Sequence, residues 1–152
     1  MIDKDWLFCS DEYICDLRTV GVLVKNNRVL VQREKNGREY ALPGGHIKIG
    51  ETLEAGLVRE YKEETGADIK VKRLLWSEEC FWEWKGKQAH NIAFYYLTEE
   101  CNGFEIPDNG EFISHKDNFF ERRVVCISHV WFGDFDFYFS VFGMGQGGTK
   151  KE

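Results

Sequence analysis

The sequence predicts an α/β or α+β sandwich built on a mixed β-sheet. Three observations predict it. Two Val- and Leu-rich runs are joined by Asn26-Asn27, one amphipathic helical stretch covers 53–65, and two more strand-like runs flank Lys85-Gly86-Lys87. Strand pairs on either side of one helix imply layers, because a sheet and a helix each have an apolar side that must be covered. A length of 152 residues suits one domain. We place that domain at 1–142 and read the Gly-rich 143–152 as a flexible tail.

Residues 19–24 and 28–33 are strand-like, and Asn tolerates the positive φ that a two-residue turn demands, so they form a hairpin turned at Asn26-Asn27. Residues 13–16 add a strand leading in. Pro43 lacks a backbone donor and Gly44 and Gly45 permit unusual φ, so residues 40–45 should break regular structure. The helix comes next. Thr52 is a good N-cap, Gly66 stands where a C-terminal glycine belongs, and Leu53, Leu57 and Tyr61 recur every four residues as an apolar stripe. Residues 69–75 alternate as a strand, and 80–84 with 89–97 form the second hairpin. On that hairpin Trp82 and Trp84 share one face and Phe81 and Glu83 the other, so only one set can line a pocket. Nine of the twelve phenylalanines lie between Phe104 and Phe142. Phe135, Phe137 and Phe139 would share one strand face, most simply as core or a subunit interface.

Charge narrows the function. Twenty Lys and Arg stand against 26 Asp and Glu, a formal net charge of −6. A protein that coats duplex nucleic acid needs a cationic face, so that class is excluded. No apolar run approaches the roughly 18 residues of a membrane span, and the first residues have no signal-peptide pattern. The five cysteines are odd in number and scattered, without Cys-x-x-Cys. Reduced thiols in the cytoplasm are expected, rather than a disulfide framework or a zinc knuckle.

Between Glu51 and Glu64, five glutamates face Arg59 and Lys62, which concentrates half of the net charge in 14 residues. On a helix Glu63 lies about 60° to one side of Glu60 and Glu64 about 40° to the other, so the three share a face. Like charges four residues apart destabilise an isolated helix by a few tenths of a kcal/mol, roughly 0.2–0.5. Spacing alone leaves two readings open: a solvated charged face, or a site for a hard divalent cation, which prefers oxygen ligands.

Gly45, five residues, Glu51, seven residues, then Arg59, Glu60, Glu63, Glu64 and Gly66 fill all seven invariant positions of the pattern Gly-x5-Glu-x7-Arg-Glu-U-x-Glu-Glu-x-Gly-U. With the preceding Pro43-Gly44 and the upstream hairpin, residues 19–97 closely resemble the Nudix (MutT-like) hydrolase family. Tyr61 and Ala67 depart from it, standing in slots (U) of bulky aliphatic residues. Both slots face packing, so altered core contacts are expected, with catalysis left intact.

The resemblance implies a Nudix-type α/β/α sandwich with a mixed β-sheet. It also implies Mg²⁺-dependent hydrolysis of the diphosphate linkage in a small nucleoside diphosphate derivative, of dNTP or ADP-ribose type, with Mn²⁺ as a substitute cation. By the same resemblance Glu60, Glu63, Glu64 and the Gly45 carbonyl carry the metal, and one of the glutamates accepts the proton of water. Arg59 and Glu51 have orienting roles in catalysis, while Arg33, Gly44 and Gly45 meet the substrate. The implied partner is a small nucleotide, with no long nucleic acid and no membrane, and a homodimer is compatible. The rival is a nucleotide-binding sensor on the same fold without turnover. Outside the pattern, His46 is a candidate for a phosphate contact, and His90 for a structural role before its strand. Glu111, in a polar loop, is a candidate base.

Overall fold

A computed structural model of the chain describes residues 3–26, 28–34, 40–104, 111–113 and 122–128. In chain order its elements are β1 (Leu7–Cys9), β2 (Tyr13–Lys25), β3 (Arg28–Glu34), β4 (Gly44–His46), α1 (Leu53–Thr65), β5 (Asp68–Trp84), β6 (Lys87–Cys101), β7 (Glu111–Ile113) and β8 (Arg122–Ser128). The sheet runs β5-β6-β2-β3-β8-β7. It is mixed: β2 and β6 are parallel from Tyr13↔Gln88 to Leu23↔Thr98, while β5–β6 and β3–β8 are antiparallel. The second edge of β2 is shared in turn by β1 at 14–16, β4 at 18–20 and β3 at 24–25.

Both hairpins form where the turn chemistry predicts them. Val24↔Val29 and Lys25↔Arg28 leave Asn26-Asn27 as the loop, with Asn26 at φ 53°. At the second turn Lys85 and Gly86 have φ of 50° and 78°, the pair of positive values that matches the twist of the flanking strands.

Several boundaries differ from the sequence-based expectation. Residues 13–16 are not a separate strand but the start of β2, continuous because β6 pairs along its whole length. Residues 69–75 and 80–84 are likewise one strand, which absorbs its irregularities in register shifts at Val71/Arg73 and Leu74/Trp76. The Gly-Gly segment does not simply break structure: Gly44 and Gly45 open the short strand β4 against β2. Gly44 can do so because its φ is +153° and a Cβ there would collide with the Thr19 carbonyl. Glu111 begins strand β7 instead of lying in a loop, paired with Val125 of β8. Neither β7 nor β8 was expected from local pattern. Phe135, Phe137, Phe139 and the 143–152 tail lie outside the described residues, and the third layer of the implied sandwich has no element among those described.

The helix has the predicted ends. Thr52 Oγ1 accepts the Ala55 N–H at 3.2 Å, and Gly66, at φ 74°, donates its N–H to the Lys62 carbonyl. Thr52→Ala should therefore cost about 1 kcal/mol, read as a lower urea midpoint at unchanged slope.

One face of the sheet packs on α1 through Leu23, Leu30, Leu57, Tyr61, Ile69 and Tyr96. The opposite face carries a second cluster of Val20, Ala93 and Tyr95, with Trp76 stacked on Tyr95 at 4.4 Å between ring centroids. Tyr61 is fully buried, and its hydroxyl donates to the Gly21 carbonyl at 2.8 Å. The ring fits because residue 21 has no side chain; a Cβ on Gly21 would overlap it. The expected change in core contacts is thus a Tyr–Gly pairing across the helix–sheet interface. Burial holds the Tyr61 hydroxyl well above the usual tyrosine range, so it stays a donor wherever the chain is folded. Tyr61→Phe should lower unfolding free energy by about 1–2 kcal/mol, since the Gly21 carbonyl loses a buried donor. Equal urea midpoints for the two proteins would contradict this assignment.

Candidate functional site

The site lies where α1 crosses the β4 segment. The buried side of α1 includes Glu60 and Glu64 beside Leu57 and Tyr61, so two of the clustered glutamates turn inward rather than to solvent. Ionised carboxylates in that position need charged or hydrogen-bonding partners.

Arg59 is the hub. Its Nε donates to Glu51 Oε1 at 2.9 Å and its Nη2 to Glu51 Oε2 at 2.8 Å, a two-pronged pair. Nη2 also reaches the His46 carbonyl at 3.1 Å. Nη1 meets Glu60 Oε1 at 2.7 Å and, more loosely, Glu63 Oε2 at 3.4 Å. One guanidinium thus serves three carboxylates and a strand carbonyl. Hydrogen bonds to Glu51 and Glu60 outweigh burial and hold Arg59 charged, while the guanidinium holds the Glu51 carboxyl below its usual range. The Lys48 N–H at 3.0 Å also lowers Glu51 and ties it to the loop ahead of the helix.

Glu64 faces the other way. Its Oε2 accepts Gln32 Nε2 at 2.9 Å and the Gly44 N–H at 3.1 Å, pinning β3 and β4 to the helix. Gly45 stands against Glu60: a Cβ at residue 45 would lie 2.5 Å from Glu60 Oε2. Beside them His46 Nε2 is 2.9 Å from Asp16 Oδ2, with Asp16 nearly buried and its Oδ1 without a hydrogen-bond partner among the described residues.

The fold therefore gathers Gly45, Glu51, Arg59, Glu60 and Glu63, and sets Glu64 against Gly44 on the adjoining side. Arg33 lies on β3 in register with Arg123, and its side chain is outside the described residues. The Glu111 side chain, His115 and His129 are also outside them. His90 is engaged elsewhere, 3.2 Å from Glu79 and stacked on Phe81. His46, a candidate for a phosphate contact, has its Nε2 on Asp16. Sequence reasoning missed Gln32 and Asp16. Gln32 had a signal, a polar residue directly continuing the buried run Val29, Leu30 and Val31.

Among the described residues no three His, Cys, Asp or Glu side chains stand grouped as a metal cluster. The donor set nonetheless fits a hard divalent cation. It is all oxygen, it lies on one helix, and the missing side chain of Gly45 leaves a backbone segment open to the Glu60 carboxylate.

A sequence model of the NUDIX domain matches residues 16–132. The chain belongs to the NUDIX family. Its NUDIX domain is 48% identical over 58 residues to an ADP-ribose pyrophosphatase of Methanocaldococcus jannaschii, covering 36% of this chain and 34% of that protein. It is 28% identical over 110 residues to the NAD-capped RNA hydrolase NudC of Photorhabdus laumondii, covering 70% of this chain and 40% of that protein. The chain thus spans about a third to two fifths of the length of these relatives. The crystal structure of a MutT NUDIX hydrolase from Burkholderia pseudomallei superposes with a TM-score of 0.55 at 20% identity, over 75% of this chain and 83% of that one, a likeness of fold. In NUDIX terms, the described fold is a mixed sheet with the signature helix on one face.

Proposed function

We propose that this NUDIX protein hydrolyses the diphosphate linkage of a small nucleoside diphosphate derivative, of ADP-ribose or dNTP type, with Mg²⁺ as the working cation and Mn²⁺ as its substitute. The observation that carries the reading is the Glu51–Arg59–Glu60–Glu63 network built against Gly45. A helix that served only as a solvated face would not bury Glu60 and bind it to an arginine shared with Glu51. The similarity to an ADP-ribose pyrophosphatase supports the substrate class.

In this reading Glu60, Glu63, Glu64 and the Gly45 carbonyl would hold the metal. When bound, such a cation offsets the charge of the diphosphate and lowers the pKa of a water molecule. The protein's own residues set the stage. Glu51 grips one edge of Arg59 with both its oxygens, and Arg59 in turn fixes where Glu60 and Glu63 stand. Glu64, through the Gly44 N–H, keeps the Gly44-Gly45 backbone against the helix, where those residues and Arg33 meet the substrate. Glu63 is half-exposed, so it is the glutamate that solvent reaches and the one placed to accept a proton from attacking water. A small anionic nucleotide is the partner in this reading, with no long nucleic acid and no membrane. No described helix is long and apolar enough to cross a membrane. Free thiols at Cys9, Cys15, Cys80 and Cys101 suit the cytoplasm, and burial, then the neighbouring Glu78, pushes the Cys80 thiol up to about 12.

The test is phosphate and nucleotide release with Mg²⁺ across ADP-ribose, dNTPs, dinucleoside polyphosphates and nucleotide sugars. Hydrolysis of at least one, lost on chelation and regained with Mg²⁺ or Mn²⁺, is expected. Binding without hydrolysis of any member would instead establish a nucleotide sensor.

A further inference from the structure

Gly44 and Gly45 have no side chains to lock their backbone, and glycine constrains its chain least of all residues. Yet the Gly45 carbonyl must keep one direction if it is to help hold a cation. Two anchors bracket it. On the upstream side Glu64 Oε2 accepts the Gly44 N–H at 3.1 Å, from the helix. Downstream, the first residue with a side chain is His46, and it is gripped at both ends. Its carbonyl accepts Arg59 Nη2 at 3.1 Å, while its ring Nε2 lies 2.9 Å from Asp16 Oδ2. His46 pairs with Arg18 on β2, and Asp16 stands two residues before Arg18. Residues 16, 18 and 20 share one side of that strand, so Asp16 lies on the face that carries Val20, away from α1.

Stability alone is a poor account of Asp16. Its side chain is only 7% exposed, yet Oδ1 has no hydrogen-bond partner among the described residues. A carboxylate taken out of water with one oxygen unpartnered costs the fold more than it returns. Backbone pairing also holds this stretch lightly. Strand β4 has three residues, and the Ile47 N–H just beyond it reaches the Leu17 carbonyl only at 3.3 Å. We propose that Asp16 is a positioning residue that acts through His46. The Asp16–His46 contact fixes the His46 backbone against β2, and with it the direction of the adjoining Gly45 carbonyl. Asp16 lies outside the Gly45–Ala67 family pattern and 29 residues before Gly45 in sequence. The inference rests on the assignment of the cation to Gly45, Glu60, Glu63 and Glu64. Groups that orient a metal ligand without touching the metal typically change its affinity about 10–100-fold.

Mn²⁺ binding to the full chain without nucleotide tests it, read as free Mn²⁺ by electron paramagnetic resonance beside a urea unfolding curve for each protein. Asp16→Ala and His46→Ala should each weaken Mn²⁺ binding about tenfold. The double variant should bind no more weakly than either single one, because the two side chains act as one link. Asp16→Asn keeps an acceptor oxygen at the same reach and should stay within about threefold of the wild type. The His46 side chain is 30% exposed, so His46→Ala carries the test even where Asp16→Ala does not fold. A role confined to stability would lower the urea midpoints and leave Mn²⁺ affinity unchanged, and that result would overturn the proposal. Additive losses in the double variant, or an Asp16→Asn loss equal to that of Asp16→Ala, would overturn it too. Failure of the cation assignment looks different: the wild type itself would hold no Mn²⁺, which overturns both.

Discussion

Glu63→Gln should lower Mg²⁺-dependent turnover about a thousandfold while leaving the folded state in place. Of the helix glutamates proposed as ligands, Glu63 contributes least to packing: its side chain is 39% exposed, and its contact with Arg59 is the longest in the network at 3.4 Å. Glutamine keeps the shape and removes the charge. What is lost is a ligand oxygen and a proton acceptor, together worth about 4 kcal/mol of transition-state stabilisation, or three factors of ten. The check is kcat at saturating Mg²⁺ on whichever nucleotide the wild type hydrolyses, beside a thermal melt. Unfolding within about 2 °C of wild type is expected, because a half-exposed position seldom contributes more than about 0.5 kcal/mol. Full activity in the variant would sink the assignment of Glu63.

Arg59→Met acts on the other side of the balance. Glu51 and Glu60 are each about 95% buried at the side chain, and both lean on this guanidinium. Removing one partner of a buried ion pair typically costs about 3–5 kcal/mol, because a carboxylate stays out of water without its counter-charge. We expect a loss in that range at pH 7.5, measured by urea unfolding. The pH dependence separates charge from packing. In the wild type the Glu51 carboxyl is held below its usual 4.5, mainly by Arg59, so its contribution is present above about pH 4.5 and fades as pH falls through the lowered native value. In Arg59→Met the largest lowering influence on Glu51 is gone and burial is opposed only by Lys48, so the native value rises and acid costs the variant less than it costs the wild type. The stability gap should therefore narrow between pH 7.5 and 4.5. A constant gap would mean that lost packing, not the carboxylates, sets the cost.

Much of the fold was legible because its signals are local. The helix ends follow from Thr52 and Gly66, each of which satisfies backbone groups within four residues. Both hairpins follow from two-residue loops whose positive φ values suit Asn26 and Gly86. What was not legible depends on partners far along the chain. Residues 13–16 belong to β2 because β6, some 75 residues later, pairs with them. Gly44 and Gly45 form a strand only because Thr19 and Val20 lie opposite. Arg122–Ser128 becomes a strand against β3 with little local alternation to announce it.

The site divides in the same way. By itself the sequence determined the family pattern, the helix that carries it, and the chemistry of its donors: carboxylates at 60, 63 and 64, with a glycine turn just ahead. The tertiary structure decided which partner each group has. Arg59 ties Glu51, Glu60 and Glu63 together, Glu64 turns to Gln32 and Gly44, Asp16 takes His46, and Tyr61 fills the space that Gly21 leaves open. The physical reason is range. A cap or a turn is set by neighbours a few residues away, whereas a buried carboxylate must find its counter-charge among whatever the sheet brings beside it.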